Sequence, residues 1–153
     1  MKEIELKLLD HRIPELPYFA TEGSAGIDLV ASIERPIQIP PEEVLKIKTG
    51  IAISIEDPSI MGMIVPRSGL GSRGLILANG TGIIDSDYQG EIILPLWNRS
   101  RHEAITIKPY DRVAQLIFIN IHTDICWNLV EEFLSNTTRG TGGFGSTGSN
   151  HET

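Results

Sequence analysis

The sequence is poor in cysteine and in long apolar runs. Cys126 is its one cysteine, so the chain cannot form an intramolecular disulfide, and this fits a reducing compartment. No apolar stretch approaches the roughly 20 residues that span a bilayer. The first ten residues, MKEIELKLLD, alternate charged and apolar side chains, which is not the pattern of a signal peptide. We therefore expect a cytoplasmic protein that does not associate with a membrane.

Positive charge is also scarce. Lys and Arg number 13 against 20 Asp and Glu, which gives a formal net charge of −7. Broad binding to polymeric nucleic acid needs a basic surface, and this composition argues against it. A single nucleotide in a pocket is compatible with it, provided that local donors, and usually a metal, offset the repulsion between like charges.

Metal-binding patterns of histidine and cysteine are absent as well. The four histidines, His11, His102, His122 and His151, are not at metal-ligand spacing, and neither H-E-x-x-H nor C-x-x-C occurs. A metal would then be held by the phosphates of a bound nucleotide. Mg²⁺ with its waters is the expected ion.

What the sequence does contain is a succession of short apolar or alternating runs separated by glycine and proline. A period of two between turn residues is typical of β-strands. The runs cover residues 4–8, 51–55, 61–65, 91–97, 104–107 and 112–121. No long helix is expected, and residues 67–73 hold a helical turn or two at most. Many short strands predict an all-β fold, a distorted barrel or jelly roll.

The character of the chain changes near residue 135, where SNTTRGTGGFGSTGSNHET begins. Such a segment cannot bury enough apolar area to offset its ordering entropy. We therefore predict a β-barrel domain over residues 1–134 and a flexible glycine-rich arm over residues 135–153. The arm is either a plain disordered end or a lid in which Arg139 clamps a phosphate and Phe144 stacks on a base.

The segment ILANGTGIIDSDYQGEIILPLW carries the second candidate site. Asn79-Gly80 predicts a hairpin turn with the flanking apolar residues as its arms. A slightly opened hairpin exposes backbone donors and acceptors that imitate a base-pairing partner for a pyrimidine. Asp85 follows an apolar pair that would hold it rigidly, as suits a general base acting on water. Asp87 is better explained as a turn residue.

The segment VPRSGLGSRG carries the third. Ser68 lacks the G-x-S-x-G context of a nucleophile. A hydroxyl and backbone amides in a turn flanked by glycine suit phosphate binding, and a plain polar turn is the alternative.

Five segments, in this order, resemble the five motifs of trimeric dUTPases. They are AGIDLVA (25–31), PRSGLGSRG (66–74), NGTGIIDSDYQGE (79–91), DRVAQLIF (111–118) and RGTGGFGSTG (139–148). The resemblance covers nearly the whole chain. It implies Mg²⁺-dependent hydrolysis of dUTP to dUMP and diphosphate, which removes dUTP from the nucleotide pool and supplies dUMP for dTMP synthesis. It also implies a homotrimer whose sites are each built from three chains, with the arm crossing to a neighbour.

The resemblance also implies a role for each matching residue. Asp85 would activate a water against the α-phosphorus, and Asp28 would help to order the magnesium shell through water. Uracil would be read by Asn79 and by the backbone from Ile83 and Ile84 to Ile93, and Tyr88 would pack under the deoxyribose. The phosphates would be held by Arg67, Ser68, Gly69, Gln115 and Arg139, and Phe144 would cover the base.

The chain departs from the family pattern at Tyr110, which stands where the fourth motif has a glycine, so an altered turn beside Gln115 is expected. Two other functions fit parts of the pattern. One is dCTP deaminase, which has a related fold. The other is a non-catalytic β-barrel module that binds a nucleotide.

Overall fold

The predicted all-β class is confirmed by a computed structural model that describes residues 2–143. Ten strands and one single-turn helix occur in this part of the chain. They are β1 (Glu5–Leu8), β2 (Ile27–Val30), β3 (Ile37–Ile39), β4 (Val44–Ser54), β5 (Ile60–Pro66), α1 (Ser68–Gly71), β6 (Leu75–Leu77), β7 (Gly82–Ile84), β8 (Glu91–Asn98), β9 (Ile105–Ile107) and β10 (Arg112–Asn120). The helix α1 is the helical turn that the sequence predicts.

The strands form two four-stranded sheets and one pair, and all of the pairings are antiparallel. The first sheet has the order β1-β4-β8-β6, the second β2-β10-β5-β7, and β3 pairs with β9. Alternation decides which side chains form the core. In β8, for example, Ile92, Leu94 and Leu96 are almost completely buried, whereas the residues between them are not. This is the jelly-roll-like arrangement expected from the sequence.

The predicted hairpin at Asn79-Gly80 is wrong. Its two arms, β6 and β7, do not pair with each other, because β6 pairs with β8 and β7 pairs with β5. The amide of Gly80 bonds to the carbonyl of Leu77, and Gly80 has a φ of 74° while Asn79 does not have a positive φ. A type I′ hairpin needs positive φ at both central residues. The turn therefore sends the chain from one sheet to the other.

The chain divides into two compact units, Met1–Thr123 and Asp124–Thr153. The first contains every strand named above. In the second, the described residues 124–143 form no strand or helix, and several large apolar side chains are almost fully exposed. They are Trp127, Leu129, Phe133 and Leu134. The helix α1 is far too short to cross a bilayer, and no other helix occurs in residues 2–143.

Candidate functional site

A cleft of about 470 Å³, here the Ser68 cleft, opens where β5 ends. Its lining residues are Arg67, Ser68, Gly69, Leu70, Arg73 and Gln115. Gln115 reaches it from the middle of β10, where it lies opposite both Val65 of β5 and Asp28 of β2. Residues opposite each other on neighbouring strands point to the same face of a sheet. The second sheet therefore brings predicted residues from three motifs into one place.

The chain turns into α1 at the floor of the Ser68 cleft. The amide of Gly71 donates a hydrogen bond to the carbonyl of Arg67 at 2.8 Å. The Gly71 amide is thus the first one that is hydrogen-bonded within the helical turn. The amides that precede it, those of Ser68, Gly69 and Leu70, start a helical turn, where N–H groups lack intrahelical partners. A Cβ added at Gly69 would meet no described atom within 4 Å. Backbone donors are therefore approachable from the cleft.

Asp28 lies between two arginines at the edge of the Ser68 cleft. Its Oδ1 is 2.9 Å from Nε of Arg67, and its Oδ2 is 3.5 Å from Nη1 of Arg112. The first contact is an ion pair without hydrogen-bond alignment, because Oδ1 is buried and has no hydrogen-bonding partner in the described part of the chain. Nη1 of Arg67 also donates to the carbonyl of Arg112 at 3.3 Å. These contacts hold the Arg67 guanidinium beside the cleft.

A second and smaller cleft, the Asp85 cleft, has a volume of about 210 Å³ and lies between β7 and β8. Its lining residues are Ile83, Ile84, Asp85, Tyr88, Glu91, Ile92 and Ile93. The strand β7 is the last one of its sheet, and β6 covers only Leu96–Asn98 of β8. Both strands therefore present backbone edges without a pairing strand toward this cleft.

Asp85 and Glu91 are the two acidic residues in the lining of the Asp85 cleft. Asp85 is the one that follows β7. It is exposed, it follows Ile84, which is 8% exposed, and its carbonyl accepts a hydrogen bond from the amide of Tyr88 at 3.1 Å. Within residues 2–143, no group forms a hydrogen bond or an ion pair with its carboxylate. The buried neighbour and the turn fix its backbone, and the carboxylate itself faces the cleft without a partner in residues 2–143.

The ring of Tyr88 forms one wall of the Asp85 cleft. Its hydroxyl donates to the carbonyl of Glu91 at 3.0 Å. The Glu91 carboxylate in turn accepts the amide of Gly50 at 3.1 Å through Oε1, and Oε2 is 3.3 Å from Nζ of Lys48. The tyrosine is thus attached to a residue that is itself held by β4.

The Ser68 cleft and the Asp85 cleft lie at opposite ends of β5. Ile84 pairs with Gly62 in β5, so Asp85 lies level with Met61, whereas Ser68 follows the last residue of that strand, Pro66. At about 3.3 Å per residue, the five steps from Met61 to Pro66 span roughly 16 Å. The clefts share no lining residue. One chain alone therefore does not bring Asp85 to the Ser68 cleft.

The remaining predicted residues lie elsewhere. Asn79 is exposed in the connection between β6 and β7 and lines neither cleft. Arg139 belongs to the second unit, where its Nε donates to the carbonyl of Gly142 at 3.1 Å. Phe144 lies outside the described residues. No group of three His, Cys, Asp or Glu side chains within residues 2–143 is arranged to hold a metal ion.

Tyr110 adopts the left-handed backbone conformation that glycine favours, with a φ of 62°. Its hydroxyl lies 3.3 Å from Oδ2 of Asp10. Burial raises the pKa of Tyr110, and the nearby Asp10 charge raises it further. Asp10 also accepts hydrogen bonds from Arg12 and Ser32, and that from the Arg12 side chain contributes most to a pKa well below the usual range. The turn before β10 thus keeps the glycine-like geometry.

Some residues in or beside the two clefts were given no role by the sequence. Arg73 lines the Ser68 cleft, Arg112 pairs with Asp28, and Glu91 holds the hydroxyl of Tyr88. Both arginines belong to segments that the sequence analysis singled out, and their charge in an acidic chain was the available signal. The role of the Glu91 carbonyl left no trace in the sequence, because any residue has a carbonyl.

Comparisons with known proteins agree on one family. A model of the dUTPase family matches residues 14–148. The chain is 48% identical over 151 residues to the deoxyuridine 5'-triphosphate nucleotidohydrolase of Baumannia cicadellinicola subsp. Homalodisca coagulata, with 97% of this chain and 99% of the relative covered. It is similar to the Staphylococcus bacteriophage 80alpha dUTPase solved with dUpNHpp, with a TM-score of 0.82, 28% identity and coverage of 97% and 99%. The dUTPase of phage phi11 of S. aureus, in which a structural Mg(II) ion is coordinated, shares the fold with a TM-score of 0.74, 24% identity and coverage of 86% and 98%.

Proposed function

Because this chain belongs to the dUTPase family, we propose that it binds one dUTP between the Ser68 cleft of one subunit and the Asp85 cleft of another. The chain is a hydrolase that converts dUTP to dUMP and diphosphate. The observation that carries the proposal is the placement of the two clefts at opposite ends of β5. A base that acts on the α-phosphorus and a cleft that holds the phosphates have to meet, and within one chain they do not.

The size of the Asp85 cleft supports a divided site. A pocket for a whole small ligand encloses about 300–1,000 Å³, and the Asp85 cleft has only about 210 Å³. It accommodates part of a nucleotide, the base and sugar. The Ser68 cleft, with arginines, a glutamine and approachable amides, suits the triphosphate.

Within the Ser68 cleft, each group has a distinct role. Arg67 neutralises phosphate charge, and its ion pair with Asp28 keeps it oriented before substrate arrives. The amides at the start of α1, beside Ser68 and Gly69, donate to phosphate oxygens, and Ser68 lies near the α–β bridge. Gln115 donates its amide to the phosphate chain. These donors stabilise the charge that builds on the bridging oxygen as the α–β bond breaks.

Asp85 is the general base in this proposal. Its carboxylate has no partner within residues 2–143, and the turn to Tyr88 and the buried Ile84 fix its backbone. It takes a proton from a water that lies in line with the leaving diphosphate, and the water oxygen then attacks the α-phosphorus. Positioned general bases typically contribute 10²–10⁴ in rate, so roughly this much activity depends on the residue.

The Asp85 cleft selects the nucleoside. The backbone edges of β7 and β8, at Ile83, Ile84 and Ile93, offer fixed donors and acceptors to uracil. Cytosine reverses the donor and acceptor at two ring positions and would leave them unpaired. The 5-methyl group of thymine would overlap the cleft wall. Tyr88 packs under the deoxyribose and leaves no room for a 2′-hydroxyl, and Asn79 of the adjoining connection contributes to the reading of uracil.

Magnesium fits these residues only as a companion of the substrate. The described chain offers no cage of ligands, and the one carboxylate beside the Ser68 cleft, Asp28, is paired with Arg67 and Arg112. An ion carried by the triphosphate would keep most of its waters, and Asp28 would hold one of those waters. When bound, Mg²⁺ supplies neutralisation of the phosphate charge. Arg67, Gln115 and the amides of α1 orient the phosphates themselves.

The active assembly is a homotrimer in which the arm of residues 135–153 closes over a site formed by neighbours. Supporting it are the divided clefts and the exposed apolar side chains of the second unit, since surfaces of that kind mark protein interfaces. Arg139 would meet the γ-phosphate, and Phe144 would cover the base. A cytoplasmic location agrees with the single exposed cysteine, Cys126.

A nucleotide panel tests the function directly. The protein is incubated with Mg²⁺ and dUTP, dTTP, dCTP or UTP, and released diphosphate and ammonia are measured separately. We expect diphosphate from dUTP alone and no ammonia. Ammonia from dCTP would instead identify a deaminase, and the absence of any product would identify a non-catalytic binding module.

A further inference from the structure

We infer that Gly90 is a specificity-determining position of the Asp85 cleft. Its missing side chain lets the Tyr88 ring lie against the backbone, in the place from which that ring excludes a ribose 2′-hydroxyl. This inference rests on the proposed function of Tyr88 and extends it to a residue that would not touch the nucleotide. Gly90 is therefore a positioning residue.

The contact between the ring and Gly90 is very close. A Cβ built on Gly90 would lie 2.5 Å from Oη of Tyr88, 2.7 Å from Cζ and 3.0 Å from Cε2. Gly90 does not have the positive φ that strains other residues, so its backbone conformation is open to any of them. Glycine is required at this position because the outer half of the Tyr88 ring fills the space that a Cβ would occupy.

The same ring is attached at its outer end. The hydroxyl of Tyr88 donates to the carbonyl of Glu91 at 3.0 Å. Glu91 is held by Gly50 and Lys48 at the irregularity of β4, where the pairing register with β8 shifts between Lys48 and Ala52. Close packing on Gly90 and the hydrogen bond to Glu91 together define one ring position. The side chain is 43% exposed, so it also has surface to offer to a ligand.

A fixed ring position has a direct consequence for selectivity. Discrimination between deoxyribose and ribose through steric exclusion depends on the absence of free volume beside C2′ of the sugar. A Cβ added at Gly90 would displace the Tyr88 ring from this position and break its hydrogen bond to Glu91. Because the ring would no longer fill the space beside C2′, a gap that accommodates a 2′-hydroxyl would open. A displacement of about 1 Å is enough to alter such positioning strongly.

The variant Gly90→Ala tests this inference. The atoms that its Cβ would meet belong to the far end of one exposed side chain, so we expect the domain to fold with a melting temperature close to that of wild type. We expect the ratio of kcat/KM for dUTP to kcat/KM for UTP to fall by roughly tenfold or more, chiefly because UTP becomes a better substrate. Gly23→Ala is the matched control. A Cβ at Gly23 would meet no described atom within 4 Å, and it lines neither cleft.

A double-mutant cycle with Tyr88→Ala separates positioning from any other effect of the added methyl group. Tyr88→Ala removes the ring and should itself lower the dUTP/UTP ratio. If Gly90 acts through the ring, then adding Gly90→Ala to Tyr88→Ala changes the ratio no further. An equal fall in both backgrounds would overturn the inference, because the methyl group would then act without the ring.

Four further outcomes decide the matter. An unchanged ratio in folded Gly90→Ala protein overturns the role of Gly90, whereas a wild-type protein without dUTP hydrolysis overturns the proposed function instead. If Gly90→Ala does not fold, Tyr88→Phe is measured in its place, because it loosens the same ring by removing the hydrogen bond to Glu91, and a Phe variant that keeps the wild-type ratio likewise overturns the inference. A lowered ratio in the Gly23→Ala control also counts against it, since a methyl group far from the ring would then suffice.

Discussion

The Ser68 cleft and the Asp85 cleft differ in how the fold builds them. The Ser68 cleft lies within one sheet, where three neighbouring strands and α1 bring Asp28, Gln115 and Arg67 side by side. The Asp85 cleft lies between β7 and β8, which belong to different sheets and do not pair with each other, so each exposes a backbone edge. The first concentrates charged side chains, and the second concentrates apolar side chains and backbone groups. The comparison teaches that the charged groups and the exposed backbone edges lie in separate parts of this chain, as the proposed division between phosphate binding and nucleoside selection requires.

The carboxylates of the two clefts differ in the same way. Asp28 has an arginine on each side, at 2.9 Å and 3.5 Å, whereas the carboxylate of Asp85 has no charged or hydrogen-bonding partner within residues 2–143. We therefore propose Asp85, whose carboxylate is unpaired within residues 2–143, as the base.

The largest expected effect is that of Asp85→Asn, which removes the proposed base and keeps the shape of the cleft. We expect kcat to fall by about 10³-fold, because water then attacks without a positioned base. Binding of dUpNHpp, measured by calorimetry, should stay within a few-fold of wild type.

The matched control is Asp87→Asn, two residues further along the same turn. It should keep most of the activity, since Asp87 does not line the Asp85 cleft. Wild-type turnover by Asp85→Asn would contradict the assignment of the base, and so would an equal loss in both variants.

Deleting the residues after Thr138 tests whether the two clefts suffice without the arm. We expect kcat/KM for dUTP to fall by about 10²-fold, because Arg139 and the closure over the substrate are lost. The strand-bearing unit should remain folded, with an unchanged melting temperature, since all of its strands end before residue 124. Unchanged kinetics would contradict the arm's role.

Arg67→Ala tests the Ser68 cleft alone. A charge-assisted hydrogen bond to phosphate contributes about 1.5–3 kcal/mol, so KM for dUTP should rise roughly tenfold to a hundredfold. The preference for dUTP over dTTP, dCTP and UTP should not change if, as we propose, the Asp85 cleft selects the nucleoside. Arg35→Ala, at an exposed position outside both clefts, is the control. A changed preference among the nucleotides would show that the two functions are not separate.

The smallest effect on activity is expected at a carboxylate outside both clefts. The hydrogen bond from Arg12, with a further one from Ser32, lowers the pKa of Asp10 in the folded protein. A lowered pKa stabilises the fold above the unfolded value of about 3.9, and this contribution is lost as the pH falls toward the folded value. Asp10→Asn should therefore lower the melting temperature at neutral pH, and its difference from wild type should shrink below about pH 4. A difference that is independent of pH would contradict this linkage.

Much of the fold was predictable because alternation is a local property. The runs at residues 61–65, 91–97 and 112–121 match β5, β8 and β10 closely, and the helical turn at α1 was expected. The pairing of strands was not predictable in the same way. Asn79-Gly80 is a strong hairpin signal, yet the flanking strands join different sheets, because burial in two separate sheets outweighs local pairing.

The residues of the clefts were predictable as segments, and their grouping was not. Gln115 and Asp28 lie far apart in sequence and become neighbours only through the register of β10 with β2. At Tyr110 the sequence predicted a difference that the structure does not have. Because this residue replaces the family glycine, an altered turn was expected, but its backbone has the positive φ that glycine favours. The hydroxyl contact with Asp10 accompanies that conformation.

The most direct test of the divided site is a mixed assembly of two inactive variants. Asp85→Asn has an intact Ser68 cleft, and the double variant Arg67→Ala/Ser68→Ala has an intact Asp85 cleft. When the two chains are co-expressed in equal amounts with different tags and the oligomers that carry both tags are isolated, one of the three sites in each mixed trimer joins two intact clefts. We predict about a third of the wild-type rate for the mixed oligomer. Activity no greater than the sum of the two parent variants would contradict a site built between subunits.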